Sequence, residues 1–198
     1  MTCCVSVNPI VEHLKEENYA KISKSRCIKS KAETFEMNRS FFNALLPAAE
    51  QYGVTLLAEN FNRMFVENIF WIDNAKDLKE MIEYVNHPLL QACWDAGHGN
   101  MQKTSQEESL RTLGGYVKAI HVQDNCGDED SHIAPLFGTL DTDSLVRGLK
   151  AIDYQGYFTF EAVNMMSEKA PLDIRVQAEQ LLYNIGKSIL TVHNCFEE

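Results

Sequence analysis

Four apolar runs recur along the chain, and each contains or ends in a side chain that can bind a metal ion. The runs cover Val54–Glu59, Leu89–Asp95, Val117–Asp124 and Tyr157–Ala162. Their hydrophobic residues are largely consecutive, which is typical of strands buried on both faces of a parallel sheet. A shorter β-branched run, Thr2–Val7, is broken by Asn8-Pro9 and predicts one more strand.

Helical patterns separate these runs. The first covers Phe35–Tyr52, where Gly53 is a natural stop and the internal Pro47 implies a kink. The others are predicted at Asn74–Asn86, from Ser105 to Gly114, at Asp141–Ile152 and from Pro171 to about His193. Asn74, Ser105 and Asp141 are the predicted caps of the first three of these helices. The last helix carries an apolar stripe, which predicts one face packed on the core: Ala178, Leu181, Leu182, Ile185 and Ile189.

The alternation of strands and helices favours an α/β fold with a parallel sheet. A chain of 198 residues, 45% of them hydrophobic, is long enough for one good core. Neither a low-complexity tract nor a Gly/Ser linker divides it, so we predict a single domain over residues 1–198. Residues 1–34 form its poorly assigned N-terminal segment, and residues 10–34 are expected to be a loop with at most a helical turn.

Charge and cysteine content narrow the class of function. A formal net charge of −10 repels phosphate backbones, so no nucleic-acid partner is expected. No run approaches the ~18 apolar residues of a membrane span, and the N-terminus lacks the pattern of a signal peptide. The six cysteines have no CxxC-type spacing, so reduced thiols and a cytoplasmic location are expected.

Four strand ends carry the strongest indication of chemistry: Glu59, Asp95, His121 and Glu161. Side chains at the carboxyl ends of parallel barrel strands meet in one site, and neighbouring strands lie only about 4.8 Å apart. Three carboxylates and one imidazole suit Mn²⁺, Mg²⁺, Co²⁺ or Zn²⁺ without choosing among them. The simpler alternative is that charged residues end strands because strand ends reach solvent.

A second group of polar residues follows. A turn of small residues is predicted after Asp95, and His98 lies three residues after that aspartate. An Asp-x-His pair, Asp130 and His132, lies in the loop after the run that contains His121. This pair places both side chains on one side of an extended loop, where with His98 it can bind another ion or a substrate hydroxyl. The alternative is a solvated polar loop, because the preceding residues Gly127–Asp130 are strongly polar.

Five motifs together resemble one known superfamily. They are LLAEN at 56–60, WDAGHGN at 94–100, IHVQDN at 120–125, DSHIAPLFGTLD at 130–141 and YFTFEA at 157–162. In order and spacing they resemble the xylose isomerase-like TIM-barrel superfamily over residues 35–190 or so. More closely, they resemble the sugar phosphate isomerase/epimerase proteins that share their fold with endonuclease IV.

The resemblance implies roles for the residues that match these motifs. Glu59, Asp95, His121 and Glu161 match the residues that hold the catalytic divalent metal. His98 matches a histidine that touches substrate in the epimerases. Asp130 and His132 match a pair that, with that histidine, holds a further zinc ion in the endonucleases.

The chain is short for such a barrel. A full barrel has eight βα units in about 250 residues, and one unit takes ~30 residues, so residues 1–34 cannot hold the missing units. We therefore predict a partial barrel of the (β/α) TIM type, with about strands four or five to eight. A homo-oligomer or a complementary N-terminal half is the expected partner, because four or five strands cannot close a barrel.

The leading hypothesis is a divalent-metal-dependent sugar or sugar-phosphate isomerase or epimerase with a small-molecule sugar substrate. As the resemblance implies, Glu59 and Glu161 would transfer the proton beside a carbonyl through an enediolate, and His98, Asp130 and His132 would bind substrate. Two alternatives remain: a zinc-dependent phosphodiesterase of the AP endonuclease IV kind, and a non-catalytic metal-binding half-barrel.

Overall fold

One parallel sheet organises the computed structural model, which describes residues 2–6, 30–62, 72–166 and 169–195, the first range as backbone only. The sheet has the order β1-β2-β3-β4-β5. Its strands are β1 Thr2–Ser6, β2 Thr55–Glu59, β3 Leu90–Asp95, β4 Val117–Val122 and β5 Phe158–Phe160. The parallel α/β arrangement and all five predicted strands are confirmed, and β2 to β5 are each somewhat shorter than their apolar runs.

Within the described ranges, six helices lie between and after the strands. They are α1 Lys31–Tyr52, α2 Ala75–Val85, α3 Ala96–Met101, α4 Gln106–Leu113, α5 Thr142–Ala151 and α6 Leu172–Val192, with 3₁₀ turns at Gly114–Tyr116 and Val163–Met165. The capping residues Asn74, Ser105 and Asp141 are confirmed, because each side chain accepts a hydrogen bond from the backbone N–H three residues on. These caps satisfy N–H groups that have no partner inside the helix.

Two local predictions were wrong. Lys31 to Thr34, expected to be loop, form the first turn of α1, because Ser30 and Glu33 make a reciprocal capping box. The helix then continues through Pro47. The small residues after Asp95 form the short helix α3 instead of a turn, since the Asp95 carboxylate caps it. The rest of the predicted 10–34 loop lies outside the described residues.

The core lies between the sheet and helices α1 to α5. Trp94, Phe42, Leu78 and Ile120 are among its fully buried side chains. The Trp94 indole N–H donates to Gln106 Oε1 at 2.9 Å, so this ring is buried without losing its hydrogen bond. None of the helices within the described ranges is long and apolar enough to cross a membrane.

Helix α6 is less buried than its stripe predicts. Ile185 and Ile189 pack with Ala134 and Val146, but Leu181 remains 41% exposed. Ala178 and Leu182 are only partly covered. The reason is that β5 has only three residues and lies at the sheet edge, so it offers little surface to the first half of the helix.

The Asp124 carboxylate accepts hydrogen bonds that hold the long loop after β4 against the end of that strand. This residue is fully buried. Its Oδ1 accepts from the backbone N–H of Asn125 at 2.8 Å and of Leu140 at 2.9 Å, and its Oδ2 accepts from Gly138 at 2.9 Å. A Cβ at position 138 would lie 2.4 Å from Asn125 O, so only glycine allows this approach.

We predict that Asp124→Asn destabilises the fold by about 3 kcal/mol or more, because an amide NH₂ would face backbone donors that now bind a carboxylate. Urea unfolding monitored by circular dichroism measures the change. The matched control is Asp128→Asn in the same loop, at an exposed position, where a change within about 0.5 kcal/mol is expected. Equal unfolding midpoints for the two variants would contradict the role of Asp124.

We propose that residues 1–198 alone do not persist as a monomer. Strands β1 and β5 are the two edges of the sheet, and unpaired edges recruit other chains. Near the β5 edge, α6 exposes Leu172, Val176 and Tyr183 by 77%, 60% and 52%. Leaving side chains of this size exposed to water costs about 1.5–3 kcal/mol of free energy each relative to burial.

Light scattering at micromolar concentration tests the assembly. Dimers or larger species are expected, and Val176→Asp should shift them towards smaller mass, whereas Gln177→Asp at the next exposed position should not. A monodisperse 22.5 kDa species with cooperative unfolding would show that the exposed face of α6 needs no partner.

Candidate metal centre and active site

The carboxyl ends of four neighbouring strands bring the predicted ligands together. Glu59 and Asp95 are the last residues of β2 and β3, His121 lies near the end of β4, and Glu161 directly follows β5. One ligand atom from each lies within 4.8 Å of the others. The parallel register explains this convergence, since Asp95 is paired with His121 across β3 and β4.

Asp95 has a defined orientation because its two carboxylate oxygens do different things. Oδ1 accepts from the backbone N–H of His98 at 2.7 Å and so caps α3. The side chain of Asn60 accepts from Asp95 N at 2.8 Å and donates to Asp95 O at 3.0 Å, which fixes the backbone. Oδ2 is thereby left facing the cluster.

Two oxygen atoms in this cluster are buried without a hydrogen-bond partner among the described residues, Asp95 Oδ2 and Glu161 Oε2. Glu161 Oε2 is 3.4 Å from His121 Nδ1, an ion-pair distance without hydrogen-bond geometry, while that nitrogen is 3.0 Å from Glu59 Oε1. Leaving carboxylate oxygens unpaired in the interior is unfavourable. The donor set therefore fits a divalent cation, which would satisfy both oxygens at once.

The pKa values of the cluster also favour a bound cation. The carboxylates of Glu161 and Glu59 raise the pKa of His121 to about 11. Burial, with a further contribution from the charge of Glu59, raises the pKa of Asp95 to about 7. The neighbouring His121 imidazole lowers the pKa of Glu161. Without a cation, protons on His121 and Asp95 are what keep three carboxylates together.

The other predicted group, His98, Asp130 and His132, also comes together, with ligand atoms within 4.8 Å. The Asp130 carboxylate lies 3.3 Å from His98 Nε2 and 3.3 Å from His132 Nε2. It also accepts from Asn62 Nδ2 at 2.7 Å and Gln123 Nε2 at 3.1 Å. Asp130 thus has four donors around it, and this second group is electrostatically complete without an ion. A freely solvated loop, the alternative for these residues, is not what the structure shows.

Both histidines of the second group have their protonation defined by neighbours. His98 Nδ1 is 2.9 Å from Asn60 O, and His132 Nδ1 is 3.0 Å from Glu161 O, so each Nδ1 carries a hydrogen. Burial opposes protonation of His98, but the charges of Asp95 and Asp130 outweigh it and raise its pKa to about 9. The bond to Asp130 raises the pKa of His132 to about 9. The group therefore presents two imidazolium donors.

Gln123 joins the two groups and was missed from the sequence. This fully buried side chain donates to Asp95 Oδ1 at 3.3 Å and to Asp130 Oδ1 at 3.1 Å. A Cβ at Gly97 would lie 2.0 Å from its amide carbon, so glycine is required there. The available signal was the two-residue period of β4, which places Gln123 on the same face as His121.

The chain belongs to the xylose isomerase-like TIM barrel family, whose profile matches residues 10–182. A curated relative, fructoselysine 3-epimerase of Escherichia coli O157:H7, is 26% identical over 132 residues, which are 67% of this chain and 47% of that protein. This membership confirms the predicted superfamily and the partial-barrel fold class.

Solved structures agree on the fold. D-psicose 3-epimerase with D-tagatose from Clostridium cellulolyticum H10 has a TM-score of 0.67 at 19% identity, over 81% of this chain and 58% of that one. The IOLI protein with a binding zinc atom has a TM-score of 0.65 at 20% identity, over 85% and 60%. The chain spans between 29% and 47% of the length of the curated relatives it matches.

We predict that Glu59, Asp95, His121 and Glu161 share one divalent ion. Calorimetric titration with Mn²⁺ should show one site, weakened at least about tenfold in Asp95→Asn and in His121→Ala. The asparagine retains an oxygen to cap α3, so loss of affinity there does not merely report unfolding. His193→Ala is the control, because His193 pairs with Asp143 away from the site. Wild-type affinity in both ligand variants would reject the site.

Protons and metal compete for the same atoms, so the thermal shift produced by Mn²⁺ should be larger at pH 8 than at pH 6. The raised pKa values of Asp95, His98, His132 and His121 each contribute stability at low pH that is lost as pH rises through about 7, 9, 9 and 11. The metal-free melting temperature should therefore fall from pH 6 to pH 9 while the metal-induced increase grows. Differential scanning fluorimetry with and without Mn²⁺ measures both trends, and a larger shift at pH 6 would be the contrary result.

Proposed function

We propose that this chain supplies the metal centre and the proton-transfer residues of a carbohydrate isomerase or epimerase. The observation that carries the proposal is the convergence of Glu59, Asp95, His121 and Glu161, two of whose carboxylate oxygens are buried without a partner. Relatives in sequence and in fold bear the names fructoselysine 3-epimerase and D-psicose 3-epimerase. A ketose or ketose phosphate is therefore the proposed substrate class.

The order of the strands explains how two glutamates would act. Glu59 on β2 and Glu161 after β5 flank the inner pair of strands, which carry Asp95 and His121. A substrate carbon lying over that inner pair would have one carboxylate on each face. One glutamate would remove the proton beside the carbonyl, giving an enediolate, and the other would return a proton to the opposite face.

The exposed fractions of the four side chains support the role of Glu161. The side chain of Asp95 is fully buried, those of Glu59 and His121 are 12% and 20% exposed, and that of Glu161 is 34% exposed. Asp95 therefore lies at the base of the site and Glu161 at its mouth, where it can meet a substrate. A divalent ion bound by these residues, Mn²⁺, Mg²⁺, Co²⁺ or Zn²⁺, would polarise the carbonyl and a neighbouring hydroxyl.

The second group would bind the sugar. A sugar hydroxyl at Asp130 would donate its hydrogen to that carboxylate and accept from the Nε2–H of His98 or His132, which now lie 3.3 Å from it. The ring of Phe61 lies 5.3 Å from that of His98 and lines the same side. Because this group already satisfies its own charges, substrate binding is its proposed role, ahead of holding a second ion.

The proposal is tested by exchange of the proton beside the carbonyl of a ketohexose in D₂O, followed by NMR at saturating Mn²⁺. Glu161→Gln should lower the exchange rate at least about 100-fold, since an amide cannot carry the proton. Glu108→Gln, at an exposed position on α4, is the matched control and should exchange at the wild-type rate. If the isolated chain needs a complementary N-terminal half, both variants are assayed in that assembly.

A Glu161→Gln protein that binds Mn²⁺ and still exchanges at a near-normal rate would remove Glu161 from the reaction. Two other results would favour the alternatives. Cleavage of a duplex with an abasic site would indicate a phosphodiesterase of the endonuclease IV kind. Tight metal binding without proton exchange, in the assembled form and with every ketose offered, would indicate a non-catalytic half-barrel.

A further inference from the structure

Cys93 lies under the metal centre, where no sequence pattern drew attention to it. It is on β3 two residues before Asp95, and the two-residue period of a strand puts both side chains on the same face. The parallel register pairs Cys93 with Glu59 across β2 and β3. The sulfur is fully buried and is not part of a disulfide.

A second set of ligand atoms includes this sulfur. Glu59, Cys93 and His121 each offer one atom, and the three atoms lie within 4.8 Å of one another. Around a tetrahedral ion with bonds of about 2.3 Å to sulfur and about 2.0 Å to nitrogen or oxygen, donor atoms are roughly 3.5 Å apart. The set therefore closes on an ion by side-chain movements of about an ångström, without any change in the sheet.

We propose that Glu59, Cys93 and His121 form an inner cation position that a thiophilic ion such as Zn²⁺ or Co²⁺ takes in preference to Mg²⁺ or Mn²⁺. The proposal rests on the metal centre proposed above and names what selects its ion. Glu59 and His121 belong to both sets, so an ion moves inward when it binds sulfur and outward when it binds Asp95 and Glu161.

An independent observation indicates that a cation belongs next to Glu59 and His121, the two residues that both positions share. Asp95 Oδ2 is fully buried and has no hydrogen-bond partner among the described residues. Its carboxylate belongs to the residue two positions beyond Cys93 along β3, on the same face of the sheet. Oxygen ligands alone suit Mg²⁺ and Mn²⁺, while a thiolate suits Zn²⁺ and Co²⁺, so Cys93 is the one soft donor among the grouped ligands. On binding, the thiol proton passes to the buffer and the thiolate becomes the ligand.

The experiment uses Co²⁺ as the probe, because thiolate ligation gives a sulfur-to-cobalt charge-transfer band in the near-ultraviolet. The wild-type chain should show this band at one equivalent of Co²⁺. Cys93→Ala and Cys93→Ser should lose it while still binding Mn²⁺. The preference for Zn²⁺ over Mn²⁺, measured by competition, should fall at least about tenfold in both. Cys126→Ser, at an exposed position, is the matched control and should retain the band and the preference.

Each outcome distinguishes the two proposals. Co²⁺ that binds the wild type without the charge-transfer band overturns the role of Cys93 and leaves the four-residue centre intact. A band that persists in Cys93→Ala comes from another thiol and also overturns it. Absence of any binding of Co²⁺ or Mn²⁺ to the folded wild type would overturn the metal centre itself, and the inner position with it.

Discussion

Negative charge gathered at one edge of a parallel sheet is the constraint on which the candidate site depends. Three carboxylates converge on a single imidazole within 4.8 Å, and one of them, Asp95, is fully removed from water. Charges so placed repel one another unless a cation or protons intervene. Burial raises the pKa of Asp95 and the neighbouring carboxylates raise that of His121, which favours protons in that role, and a divalent ion would replace them.

The surrounding structure supports this charge without neutralising it. Asn60 fixes the backbone of Asp95, and the start of α3 takes up one of its oxygens. The Gln123 amide donates to that same oxygen, in space left by Gly97. Each of these contacts orients the carboxylate, yet none reaches Oδ2. Such preorganisation is what a metal ligand requires, because the supporting hydrogen bonds fix the geometry before the ion arrives.

The two neighbouring groups differ in how completely they satisfy themselves. Asp130 lies among four donors, whereas Asp95 and Glu161 each retain an unpartnered buried oxygen. This difference separates a group suited to hydrogen-bonding a substrate from one suited to holding an ion. Both groups lie on strands β2 to β5 and the segments that follow them, so the described part of the chain contains all four residues of the candidate metal centre. These five strands alone do not enclose a sugar, because β1 and β5 remain the edges of the sheet and α6 exposes apolar side chains.

The sequence by itself determined the strands, their parallel arrangement, most helix caps and the placement of Glu59, Asp95, His121 and Glu161 at or near strand ends. These follow from local rules: consecutive apolar residues, capping side chains and polar residues at strand ends. It did not indicate that α3 begins at Asp95, that Gln123 bridges two carboxylates or that Asp124 holds a loop to its strand. It also overestimated the burial of α6, where Leu181 stays exposed. Those features depend on which residues from distant segments meet at one strand edge, and on how little of α6 the short edge strand can cover. Only the tertiary structure decides such contacts, because hydrogen bonds and burial between distant residues leave no periodic trace in the chain.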